Sequence, residues 1–145
     1  MKKFFRFLQN LFRNLKGLAN RYIGPAIEVV ENIKRLVDSP ITDIATGIIP
    51  GTLDDNIKML LRAKLPEVLK VLRISDKCLA LENFDAIVLC AVEELKQYDK
   101  DGRNAAYHSI AAMLGHYASD KRITWSEAVH LAELLFKAKQ NQIPQ

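Results

Sequence analysis

Apolar residues recur at helical spacing along the whole chain, and no run shows the alternate-residue pattern of a half-buried strand. That property restricts the chain to helix packed on helix. Proline, glycine and capping residues then divide it. Gly24-Pro25 reads as a break, with Pro25 suited to a first helical turn. Beyond it Ala26, Val29, Val30, Ile33, Leu36 and Val37 form one buried stripe. Ser39-Pro40 starts a short helix that Pro50-Gly51 stops. Thr52–Asp55 starts another, with the stripe Ile57, Leu60, Leu61, Leu65, Val68, Leu69 and Leu72. Pro66 inside it predicts a kink or a break near Lys64, because interior proline costs about 3 kcal/mol or more.

Ser75–Glu82 reads as a loop and Asn83 as the cap of a helix whose apolar face is Phe84, Ile87, Val88, Ala91 and Leu95. Asp99–Gly102 is a turn. Asn104–Ser119 holds no Lys, Arg, Asp or Glu, and its Ala105, Ala106, Ala111, Ala112, Gly115 and Ala118 permit close helix approach. It is expected to be the central, most buried helix. Thr124-Trp125-Ser126-Glu127 is a capping box with Ile123 and Ala128 in staple positions, followed by the face Ala128, Leu131, Ala132, Leu135 and Ala138. The expected fold is all-α, a bundle of six to seven helices. It comprises a basic amphipathic arm over 1–23, a bundle over 24–140 and a frayed tail over 141–145.

The arm stands apart in charge. Of 21 Lys and Arg and 17 Asp and Glu in 145 residues, the first 23 hold six basic residues and no acid, which leaves residues 24–145 at 15 minus 17, or −2. On a helical projection Phe4, Phe5, Phe7, Leu8, Leu11, Phe12, Leu15, Leu18, Ala19, Tyr22 and Ile23 fill one arc. Lys2, Lys3, Arg6, Arg13, Lys16 and Arg21 lie with the Asn and Gln residues in the other. Such a helix suits a groove on another protein, or a membrane interface. It also suits plain packing on its own bundle. Nucleic acid is the poorest partner, because the aromatics point away from the cations and cannot stack on bases while these meet phosphates. Arg6, Arg13 and Lys16 interrupt any signal-peptide core, and no stretch reaches the length of a bilayer span, so neither a secretory signal nor a transmembrane segment is expected.

Motifs for chemistry are few. Cys78 and Cys90 have apolar neighbours and read as buried free thiols; a disulfide would require an oxidising compartment. A calcium loop ending at Glu127 would put His116 and Ala118 at ligand positions and Lys121 at the obligatory glycine, so the turn reads as helix capping. His108, His116 and His130 lack the i, i+4 spacing of helical zinc sites and read as interface histidines. No G-x-S-x-G, P-loop or G-x-G-x-x-G occurs. No enzyme, metal or cofactor is expected.

VDSPITDIATGIIPGTLDD (Val37–Asp55), LRAKLPEVLKVL (Leu61–Leu72) and ITWSEAVHLAE (Ile123–Glu133) occur in that order. On these segments the chain resembles a group of small helical proteins encoded by tailed phages and prophages of Bacteroidetes. The resemblance implies a phage structural or late-gene product, in a virion or the host cytoplasm, and carries over no catalytic residues. The expected function is a non-enzymatic structural or assembly protein whose partners are other phage structural proteins. Its contacts would be Phe4, Phe5, Phe7, Leu11, Phe12 and Leu15, flanked by Lys2, Lys3, Arg6 and Arg13. The alternative is a membrane-surface accessory protein of lysis-cassette type, held to an anionic surface by the same helix.

Overall fold

In the computed structural model the described residues are 17–38, 48–74 and 83–142, with side chains through residue 138. All of the regular structure among them is helical. A π-helical turn, Ala19–Ile23, leads into α1 (Gly24–Asp38); then come α2 (Asp55–Val71), α3 (Phe84–Lys96), α4 (Lys100–Ala118) and α5 (Trp125–Gln142). The described α-helices number five, where six to seven were expected. The short helix after Ser39-Pro40 falls largely outside the described residues, and the expected division near Lys64 does not occur. Leu61, Leu65, Val68 and Leu69 on α2 are completely buried on both sides of Pro66. Burying each is worth roughly 1.5–3 kcal/mol, which exceeds the proline penalty, so one helix runs through.

Gly24-Pro25 is not a break either. Residues 17–18 are helical and the π-turn joins them to α1 without interruption. The Gly24 N–H donates to the Ala19 carbonyl, five residues back. Proline has no N–H to donate, and in a regular α-helix its ring meets the carbonyl four residues earlier, here that of Arg21. The wider π-turn accommodates both facts. Ala19, Tyr22 and Ile23 thereby join the core, while Gly17, Asn20 and Arg21 are exposed. The projected division of the arm into two faces therefore holds over its last turns.

Helix α4 lies at the centre, touching the π-turn, α1, α2 and α5. Its Tyr107, Ile110, Ala111, Ala112, Leu114, Gly115 and Ala118 are buried. Ala105 is exposed and Ala106 half-buried, so close approach is confined to the second half of the helix. The helix also begins earlier than expected: Asp99 accepts from the Gly102 N–H at 2.6 Å and caps it at Lys100. Asp54 caps α2 by accepting from the Asn56 N–H at 2.7 Å, and Asn83 caps α3 by accepting from the Asp85 N–H at 2.8 Å. At the start of α5, Thr124 Oγ1 accepts from the Glu127 N–H at 3.2 Å, and Glu127 Oε1 accepts from the Thr124 N–H at 2.9 Å. This is the predicted capping box, with Ile123 and Ala128 fully buried beside it. Ala138, expected on the core face of α5, is exposed.

The corner between α4 and α5 is tied by Ser119, which is 1% exposed and the buried polar residue among those described. Its hydroxyl donates to the His116 carbonyl at 2.8 Å and accepts from the Ile123 N–H at 3.2 Å. Ser119→Ala strands the buried Ile123 N–H and should lower stability by about 1–3 kcal/mol in urea denaturation. Ser126→Ala, at an exposed position, serves as the control. An unchanged midpoint for the Ser119 variant would contradict this role.

Three non-glycine residues occupy left-handed backbone: Arg73 (φ 59°), Asp120 (φ 52°) and Lys121 (φ 68°). Arg73 closes α2, where the Ile74 N–H reaches the Leu69 carbonyl at 2.9 Å and the Arg73 N–H reaches the Lys70 carbonyl at 3.0 Å. Lys121 is exposed and occupies the place where a calcium loop ending at Glu127 would need glycine. Lys121→Gly should relieve the backbone and raise stability by about 0.5–1 kcal/mol, read as a higher thermal midpoint. A lower midpoint would mean that the lysine stem contributes more than its conformation costs.

Candidate functional site

One cleft, of about 510 Å³, opens between α1, the first two turns of α4 and α5. Helical periodicity explains its walls. On α1, Val30, Lys34 and Asp38 succeed one another at four-residue steps, with Glu31 beside them. On α4 the face is Lys100, Arg103, Asn104, Tyr107 and His108, at i, i+3, i+4, i+7 and i+8. Phe136 closes the third side from α5. Its ring lies 4.4 Å from the His108 ring, centroid to centroid, with 31° between their planes. Val30 and Tyr107 are buried, so the cleft has an apolar and aromatic inner surface under a charged rim.

The rim carries three cations, Lys34, Lys100 and Arg103, against two carboxylates, Glu31 and Asp38. The ion pairs among the described residues are Lys58–Asp55, Lys64–Glu67 and Lys96–Glu93, each within one helix and none at the cleft. Burial raises the Tyr107 phenol above its usual range; Asp38 raises it further and Arg103 opposes both. Tyr107 is therefore a neutral phenol at physiological pH, able to donate or accept a hydrogen bond.

The three histidines do not converge on a metal. His108 packs on Phe136, while His116 places Nδ1 2.6 Å from the Ile123 carbonyl, so Nδ1 carries the proton and donates. His116 also meets Trp125 edge-on, with centroids 6.1 Å apart. Among the described residues no group of three or more His, Cys, Asp or Glu could hold a metal ion. No helix among them is long and apolar enough to cross a membrane. Cys90, half-buried on α3, is disulfide-bonded, which corrects the expectation of free thiols; the other cysteine in the sequence, Cys78, lies outside the described residues. Apolar neighbours suit a bridged cysteine as well as a free one, so flanking sequence could not tell the two apart.

The expected partner-binding residues, Phe4, Phe5, Phe7, Leu11, Phe12, Leu15, Lys2, Lys3, Arg6 and Arg13, all lie outside the described residues. The described residues nearest to them in sequence begin at Gly17. Ile23 is completely buried, and a methyl placed on Gly115 of α4 would overlap its Cδ1. Tyr22 is 6% exposed, with the Arg21 guanidinium 5.6 Å above its ring. The cleft escaped the sequence reading. Its residues come from three helices, and their common signal, charge at helical spacing on α1 and early α4, reads in one dimension as a solvated face. No protein-family model matches this chain, and no curated protein or solved structure matches it either.

Proposed function

We propose that this protein is a non-enzymatic structural or assembly component of a tailed-phage particle, docking on a neighbouring subunit through its N-terminal amphipathic helix. The observation that carries the reading is the anchored root. Ala19, Tyr22 and Ile23, which lie on the same apolar arc of the helical projection as residues 4–15, are buried in the core, so the arm leaves the bundle from an anchored point in the sequence. Phe4, Phe5, Phe7, Leu11, Phe12 and Leu15 supply the anchors. Burial of each is worth roughly 1.5–3 kcal/mol before ordering costs, so a few suffice for stable attachment. The disulfide at Cys90 supports a setting such as a virion surface over a reducing cytosol. The segment order of the phage-type helical proteins points the same way.

The anchored root determines how this is tested. A deletion must stop at residue 16, because removing residues through 23 takes out part of the core. The variant lacking 1–16 should keep its helical circular dichroism and fold cooperatively, yet no longer co-purify with particles that retain the full-length chain. Failure to detect the full-length protein in purified virions by mass spectrometry, or full retention of the shortened one, overturns the proposal. Co-sedimentation with phosphatidylglycerol vesicles that disappears on the same deletion would favour the membrane-surface role instead, since Lys and Arg opposite Phe and Leu is the pattern of an interfacial helix.

A further inference from the structure

The lining of the cleft between α1, α4 and α5 includes none of the residues proposed for docking, and its chemistry is specific enough to suggest a ligand. We propose that it binds a small, flat, apolar or aromatic molecule carrying one anionic head, a carboxylate or a phosphate. Three observations converge. The volume of about 510 Å³ falls within the roughly 300–1,000 Å³ typical of small-molecule sites. Cations outnumber carboxylates three to two on the rim, although residues 24–145 as a whole are net acidic. One wall is aromatic, made by the tilted ring contact of the exposed His108 with the half-buried Phe136, with the buried Tyr107 on the same α4 face one residue from His108.

Each group then has a role. Arg103 presents the planar fork that matches a carboxylate or phosphate through two parallel hydrogen bonds. Lys100, one turn earlier on α4, adds a second positive charge to the same head, and Lys34 a third from α1. None of these cations is held in an ion pair with a described residue. Phe136 takes the flat face of the ligand. Glu31 and Asp38 stand on the α1 side and disfavour a second negative charge, which sets the preference for one anionic group. The neutral Tyr107 phenol offers a hydrogen bond without adding charge.

The test uses the full-length protein and four probes: benzoate, phenyl phosphate, inorganic phosphate and benzylamine. Saturation-transfer NMR and calorimetry should show saturable binding of benzoate or phenyl phosphate, each at least about tenfold tighter than inorganic phosphate or benzylamine. Arg103→Gln should weaken the aromatic anion about tenfold or more, and Phe136→Ala should weaken it while leaving the thermal midpoint within a few degrees. Lys121→Gln, remote from the cleft, should change nothing. Absence of saturable binding by both aromatic anions overturns the proposal. So does binding of inorganic phosphate as tight as that of phenyl phosphate, or affinity untouched by Arg103→Gln. If Phe136→Ala unfolds the chain, Phe136→Leu removes the ring with less loss of packing and should weaken the aromatic anion in the same way.

Discussion

Replacing Gly115 with valine is expected to destabilise the protein by more than about 3 kcal/mol, and replacing it with alanine by about 1–2 kcal/mol. The alanine case is informative because two effects oppose each other. Alanine is favoured over glycine in a helix interior by about 1 kcal/mol. Against that, the added methyl would overlap Ile23 Cδ1 and sit 3.3 Å from Ile23 Cγ1 and 3.5 Å from Ile23 Cα. The Cα distance is ordinary contact and the conflict is with the Ile23 side chain, but Ile23 is 0% exposed, so that side chain has no free space in which to turn. Overpacking is therefore expected to win. Ile23→Val removes Cδ1 and alone costs about 0.5–1.5 kcal/mol. Combined with Gly115→Ala it should lose less than the sum of the two single changes, a coupling measured by urea denaturation of all four proteins. Additive losses, or a Gly115→Ala variant as stable as the parent, would show that the π-turn and α4 do not meet as described.

Breaking the disulfide at Cys90 is the second large effect. Cys90 lies half-buried on α3, whose Val88, Ala91, Val92 and Leu95 pack into the core. A disulfide typically contributes about 2–4 kcal/mol, so reduction with a phosphine or Cys90→Ser should lower the thermal midpoint by roughly 5–15 °C in a chain of this size. Scanning fluorimetry with and without reductant measures it. Two titratable thiols per unreduced, denatured chain would show that the bridge does not form and would remove one support for an oxidising setting. Loss of cooperative unfolding on reduction would be a stronger result in the expected direction.

Both effects arise where several elements meet, and there the sequence was least legible. It read well wherever the deciding interaction lies within one helix turn. The capping box at Thr124–Glu127, the cap at Asn83, and the stripes on α1 and α2 depend on spacings of two to four residues, which a linear reading sees directly. Pro66 and Gly24-Pro25 misled it because a local penalty of a few kcal/mol was set against burial contributed by other helices. In α2 that burial exceeds the proline penalty, and at Pro25 a wider π-turn removes the clash. Asp99 likewise moved the start of α4 forward by four residues, since a well-placed cap and about one further turn outweigh the turn preference of Asp101-Gly102.

The candidate sites divide the same way. Sequence drew attention to the arm, whose two faces are visible as a period of 3.6, and the exposed Asn20 and Arg21 beside the buried Tyr22 and Ile23 match that division. It did not indicate the cleft. Glu31, Lys34, Asp38, Lys100, Arg103 and Phe136 are spread over more than a hundred positions and share a wall only after three helices pack. Nor did it indicate that Gly115 serves Ile23. As a small residue among alanines it marked a place of close approach, but the identity of the approaching group depends on the crossing of α4 with a segment some ninety residues earlier.

Short stretches of sequence were enough to show that the regular structure of the described residues is helical, where most of those helices begin, which face each presents inward, and that the chain's positive charge is concentrated in the first 23 residues. These are short-range properties, set by dihedral preference, capping hydrogen bonds and the period of apolar residues. Tertiary structure alone decided that the root of the arm belongs to the core, that two prolines lie in or against unbroken helix, and that charges from α1 and α4 face one another across a cleft. Each of those depends on free energy from residues distant in the chain. Packing of that kind is cooperative, and its outcome is not written in any single stretch of residues.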